Sequence, residues 1–216
     1  QIIDISNPTS PTLLGFYGTP GSANDVSGVG NLVYIAEYYA GLQIIDISNP
    51  TSPTLLTSYD TPGNTSGVRV VGNLAYVVDS DAGLQILDIS NPTSPILLSS
   101  YDTPSYIWDL DVEGNLAYVA ADYAGLLIID TSDPTNPTLL SSRYIPGYAY
   151  TVEVEGNVAY ASNLEGLLLF DISNPTSPTL LGLYSNGYTW DTEVAGDFAY
   201  VADGQVEERG AVFIGN

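Results

Sequence analysis

A unit of about 42 residues recurs along this chain, and that recurrence limits the fold more than any other feature. Gly41-Leu42-Gln43-Ile44-Ile45-Asp46-Ile47-Ser48-Asn49-Pro50 returns as Gly83-Leu84-Gln85-Ile86-Leu87-Asp88-Ile89-Ser90-Asn91-Pro92. Altered copies run from Gly125 to Pro134 and from Gly166 to Pro175. A fixed period of this size describes a supersecondary unit that buries its faces by stacking on copies of itself. Aligned on Asn31, Asn73, Asn115, Asn157 and Asp197, the units are spaced 42, 42, 42 and 40 residues apart. Aligned on Gly41, Gly83, Gly125, Gly166 and Gly210, the spacings are 42, 42, 41 and 44. Length changes confined between landmarks mark a loop on one face.

Each unit reads as four short strands. The first, Gly67 to Val71, is apolar mainly at alternate positions. Gly72-Asn73 then makes a tight turn, since both residues tolerate positive φ. The second strand, Leu74 to Val78, is apolar on both faces, as is most of the third, Leu84 to Ile89. Between them lies the polar loop Asp79-Ser80-Asp81-Ala82-Gly83. It echoes the start of a calcium loop but lacks the third acid and the distal Glu. Pro92 and Pro95 make the next segment a connector, and the fourth strand, Ile96 to Tyr101, drifts towards polar.

Two middle strands that are apolar on both faces must lie between other sheets. No stretch keeps a 3.6-residue period, so helix is not expected. The fold class that follows is all-β: a β-propeller of four-stranded antiparallel blades. A parallel β-helix is the rival, but its rungs are shorter and lack this hairpin order. First strands near residues 23, 65, 107, 149 and 189 number five, which favours five blades over a fragment of six or seven. On that reading residues 1–216 form a single domain that opens and stops inside a repeat. Residues 9–19 would complete the last blade as its outer strand, and Gln1–Ile5 would compete with Val212–Asn216 for one place.

The third strands, Leu42 to Pro50 and Leu126-Leu127-Ile128-Ile129-Asp130-Thr131-Ser132-Asp133-Pro134, resemble the LVIVD repeat. The likeness extends over nearly the whole chain. It implies a propeller and an extracellular or cell-surface setting in a larger bacterial or archaeal protein. It carries over no catalytic residue. The last unit departs from the pattern, with Gly215 where Asp46 stands and an extended loop over Gly204 to Arg209.

Charge narrows the partners. The formal net charge is -22, from 25 acids against three arginines, with neither Lys nor His. Such a surface repels phosphate backbones, so nucleic acid is not an expected partner. It suits cations, basic partners or a salty medium. No apolar run reaches the ~20 residues of a membrane span. Without Cys or His the chain has no disulfide, no thiol nucleophile and no Ser-His-Asp triad.

Three sets of residues stand out. Asp4, Asp46, Asp88, Asp130 and Asp171 precede the proline connectors, where a carboxylate accepts N–H bonds in an Asx-type turn. A residue required in every unit serves the unit, so these read as structural.

On the first strands, the sixth and fourth places before each alignment residue carry Asp25, Asp109, Asp111, Glu153, Asp191 and Glu193. Places two apart share a strand face, so these acids would ring a wet channel. They would either hold Ca²⁺ or stand as solvated walls. Just upstream, units three to five carry Tyr106, Trp108, Tyr148, Tyr150, Tyr188 and Trp190. Units one and two have Ser22, Asn24, Asn64 and Ser66 there, so the blade does not require the aromatics. Flat, stiff, amphipathic rings at a channel mouth suit a glycan or a protein partner, or packing between blades.

The expected function is a non-catalytic interaction module that binds a protein, glycan or cation through the propeller face. One alternative is a carboxylate glycoside hydrolase, with Asp109 or Asp191 as nucleophile or base and Glu153 or Glu193 as acid. Against it, a catalytic acid should occur once, whereas these recur. A spacer in a surface array is the third reading.

Overall fold

The computed structural model describes residues 1–185, 187, 189–203 and 212–215, with nothing to be said of the side chains at 203 and 212–215. It contains strands and turns and, among these residues, no helix. A two-stranded sheet comes first: β1 (Ile2–Asp4) and β2 (Thr12–Gly15). Next come β3 (Ala23–Val29), β4 (Leu32–Glu37), β5 (Gly41–Asp46) and β6 (Thr54–Tyr59), paired in chain order. The same four-stranded sheet recurs as β7 (Thr65–Val71), β8 (Leu74–Asp79), β9 (Gly83–Asp88) and β10 (Ile96–Tyr101). It recurs again as β11 (Asp109–Glu113), β12 (Leu116–Ala121), β13 (Gly125–Asp130) and β14 (Thr138–Arg143). The last complete copy is β15 (Val152–Glu155), β16 (Val158–Asn163), β17 (Gly166–Asp171) and β18 (Thr179–Tyr184). Three strands close the series: β19 (Thr189–Ala195), β20 (Phe198–Asp203) and β21 (Val212–Gly215).

The expected strand order is therefore present, and its bounds fall within two residues of those read from Gly67 to Tyr101. Two expectations need correction. Residues 9–19 do not complete the last sheet: Thr12–Gly15 pairs with Ile2–Asp4, while β21 pairs with β20. Gln1–Ile5 and the C-terminal strand thus occupy separate sheets. The hairpin turns also use positive φ at the glycine alone, 61° at Gly30, Gly72, Gly156 and Gly196 and 62° at Gly114. Positive φ at only the first turn residue is the II′ pattern, which matches strand twist and leaves Asn free of strain. The carbonyl of that Asn then accepts the N–H just past the third strand: Asn31 from Ile47, Asn73 from Ile89, Asn115 from Thr131 and Asn157 from Ile172.

The chain divides into two compact units, residues 1–79 with 85–98, and residues 80–84 with 99–216. In the first, Tyr34, Ala36, Leu42 and Ile44 on β4 and β5 pack against Val68, Ala75, Val77, Leu87 and Ile89. In the second, Tyr118, Ala120, Leu126 and Ile128 meet Val152, Ala159, Ala161, Leu168, Phe170 and Ile172. Leu167 continues the pattern onto Ala199 and Val201. Large and small apolar side chains from neighbouring sheets thus share each cluster. This is why second and third strands are apolar on both faces: β8 and β9 are buried almost throughout.

Candidate functional site

The first strands of successive sheets lie side by side, β3 against β7 in the first unit and β11, β15 and β19 in turn in the second. Several of their acids accept backbone N–H groups. Asp109 turns one carboxylate oxygen to its neighbour's Leu110 N–H, at 2.8 Å, and the other across to the Val152 N–H of the next sheet, at 3.0 Å. Asp111 repeats this with Val112, at 2.8 Å, and Val154, at 2.9 Å. Asp25 does so with Val26, at 2.7 Å, and Val68, at 2.8 Å, and adds an ion pair to Arg69 at 3.1 Å. Asp191 accepts the Thr192 N–H at 2.9 Å. A carboxylate beside a strand edge thus has backbone donors within reach. Among the described residues no group of three or more acids could hold a metal ion. Glu153 lies on β15 and Glu193 on β19, half-buried and exposed respectively.

The proline-connector acids make the turns expected of their sequence. Asp4, Asp46, Asp88, Asp130 and Asp171 accept the N–H of the serine two residues on, at 2.8–2.9 Å. The bond to Ser N–H chiefly holds the first four below the ordinary carboxylate pKa; at Asp171 the Ser173 hydroxyl leads. Asp79, in the segment that echoes a calcium loop, is buried and accepts the Gly63 N–H at 2.8 Å, so it braces a loop of its own sheet.

The aromatics, by contrast, come together. In the second unit the Tyr106 and Trp108 rings lie 6.3 Å apart and 30° from parallel. Trp108 continues to Tyr150 at 5.9 Å, and Tyr150 to Trp190 at 6.4 Å. Tyr148 flanks Tyr150 at 6.2 Å. Tyr106, Trp108 and Trp190 remain 47%, 44% and 59% exposed, so one row of rings from three sheets faces solvent. Tyr188 lies outside the described residues.

Alternation sets this outward aim. Ile107 and Ala149 are fully buried, whereas their neighbours Tyr106 and Trp108 are exposed and Tyr148 and Tyr150 half-buried. Trp190 stands where the register of β19 slips between Thr189 and Asp191, a bulge that re-aims a side chain. Braces from the second strands hold the loops. The Ser105 hydroxyl donates to the Ala121 carbonyl at 2.6 Å. The Asn163 amide donates to the Pro146 carbonyl, and its oxygen accepts Glu165 N–H at 2.8 Å and Gly166 N–H at 2.9 Å.

One member was missed from sequence. Tyr123, on the β12–β13 loop, packs edge-on to Tyr148 at 4.8 Å and donates its hydroxyl to the Tyr148 oxygen at 3.2 Å. That bond, first among its causes, raises the Tyr123 pKa above the usual phenol value. The Ala149 N–H on the Asp122 carbonyl, at 3.2 Å, brings the two loops together. The aligned Tyr39 in unit one was the available signal: this loop position takes Tyr twice.

A cavity of about 320 Å³ in the first unit is lined by Ile2, Tyr17, Val33, Ile35 and Ile47 and one carboxylate, Asp25, whose oxygens are already bonded.

The LVIVD repeat model matches residues 1–19, 20–61, 62–103, 105–144, 146–185 and 186–207, and the chain belongs to the LVIVD-repeat family. Nothing matches among curated proteins. Among solved structures, the computationally designed Ika8 protein is similar with a TM-score of 0.71 and 13% identity, over 89% of this chain and 59% of that one. The designed Ika4 protein gives 0.62 and 14%, over 74% of this chain and 96% of that one. A functionally unknown protein from Desulfotomaculum acetoxidans gives 0.72 and 15%, over 86% and 62%. This chain thus spans less than two thirds of Ika8 and of the Desulfotomaculum protein. At such identities the likeness concerns the fold alone.

Proposed function

We propose that this chain is a non-catalytic interaction module, a β-propeller of LVIVD blades on an extracellular or cell-surface protein, that holds its protein or glycan partner on the aromatic row. The row Tyr106–Trp108–Tyr150–Trp190 carries the reading: three exposed rings with half-buried Tyr150 between them, that two of the units do without. Such rings supply contact area at low entropic cost, and exposed aromatic groups of this kind mark binding surfaces. The blade form is supported by face-to-face sheets whose first strands adjoin. The non-catalytic form is supported by Asp109, whose two oxygens each accept a strand N–H group, a structural use of one candidate acid. The test is a glycan and peptide array probed with the protein and with Trp108→Ala and Trp190→Ala. Binding lost in both variants, with melting temperature kept, supports the module. Binding kept in both removes the row from function.

A further inference from the structure

We infer that the aromatic row takes an extended, basic polypeptide segment whose arginine or lysine side chains alternate along the strand. This deepens the proposed function and rests on it, since the same rings are used.

Three observations carry it. The first is spacing. The Trp108 and Tyr150 ring centroids are 5.9 Å apart, and those of Tyr150 and Trp190 are 6.4 Å apart. Same-side residues of an extended chain are two apart and advance about 6.6 Å. A strand laid along the row would bring successive same-side residues to rings at this separation. A polyproline helix repeats at about 9.3 Å and falls out of step by the second ring.

The second is charge. The chain carries -22 and holds no Lys and no His, so its field favours a cationic ligand over a neutral or acidic one. Positive charge on the chain is limited to three arginines, of which Arg69 is already paired with Asp25.

The third is the chemistry of the rings. Indole and phenol faces attract guanidinium and ammonium groups, indole most strongly. Indole stands at Trp108 and Trp190, with Tyr150 between them. Asp109 and Asp191 immediately follow the two tryptophans in sequence and belong to the acids that set the chain's negative field. A neutral sugar would gain the stacking but not the electrostatic part.

Both tryptophans of the protein lie in the row, so indole emission reports on this surface. The test titrates that emission with a short peptide alternating arginine and threonine. Its controls are an isomer with the arginines in one block, a version with citrulline for arginine, and a neutral oligosaccharide. The alternating peptide should bind about fivefold more tightly than the block isomer, and the citrulline peptide at least about tenfold more weakly. Trp108→Leu and Trp190→Leu keep apolar bulk without an indole face and should each weaken binding about tenfold. A citrulline peptide or oligosaccharide that binds as tightly, and is lost in the Leu variants, overturns the cationic ligand and leaves the row as a site. Equal binding of both isomers, unchanged in the Leu variants, overturns both.

Discussion

Asp109 on β11 and Val152 on β15 are joined by a carboxylate-to-amide bond of 3.0 Å across 43 residues of sequence. The same offset joins Asp25 to Val68 and Asp111 to Val154, so an acid on one first strand caps the exposed edge of the next. Removing an acceptor from a half-buried amide costs the bond and leaves a donor unpaired. Asp109→Ala should destabilise by about 1.5 kcal/mol. Hydrogen exchange should localise the change to Val152 and leave Val68 untouched.

The Arg69–Asp25 pair should matter much less. Its side chains are 32% and 26% exposed, and pairs of that kind contribute under about 1 kcal/mol. Arg69→Gln should shift urea unfolding by less than that, whereas Asp25→Ala, which also strips Val68 of its acceptor, should cost more. Equal effects would show that the ion pair and not the amide bond is what Asp25 contributes.

Backbone geometry separates two glycines of one sheet. Gly41 has φ of 70°, and a Cβ there would collide with the Tyr59 carbonyl. Gly30 has φ of 61° but opens onto free space. Gly30→Ala should cost about 1–2 kcal/mol, the left-handed penalty alone. Gly41→Ala should cost clearly more, read as a larger fall in melting temperature.

Acid should loosen the proline connectors. Folding depresses the pKa of Asp46, Asp88, Asp130 and Asp171 below 3.8, so their contribution is complete above that pH and is lost as pH falls through the folded values. Replacing all four by Asn keeps an acceptor and removes the titration. The variant's melting temperature should therefore fall less steeply than wild type below about pH 4. Parallel curves would show that other groups set the acid limit.

Asn163 should couple loop order to the row. Asn163→Ala removes the bonds to Pro146, Glu165 and Gly166, at an expected cost of about 2 kcal/mol. Because Tyr148 lies two residues beyond Pro146, the Tyr123 titration should move back towards the ordinary phenol value.

Repetition made the strands legible, since each register is stated several times over: Tyr34, Tyr76 and Tyr118 hold one place in three sheets and are each buried. The serine turns of Asp46 and its equivalents were legible because donor and acceptor lie two residues apart. The aromatic cluster was legible in membership but not in extent, because Tyr123 reaches it from a different loop. The bonds of the first-strand acids were not legible for a related reason. Their partners, Val68, Val152 and Val154, are backbone amides of another sheet, and an amide leaves no letter in a sequence. The sheet assignment of Thr12–Gly15 was missed because a hairpin with its own upstream segment and a distant pairing look alike in one dimension.

The burial of Ile107 between exposed Tyr106 and Trp108 makes this stretch a matter of parity. Deleting one residue there would bring an aromatic ring into the core and push an isoleucine into water. Drift in this loop is thus confined to changes of side chain or to paired insertions, and a lineage can alter what the row grips far more readily than where it points.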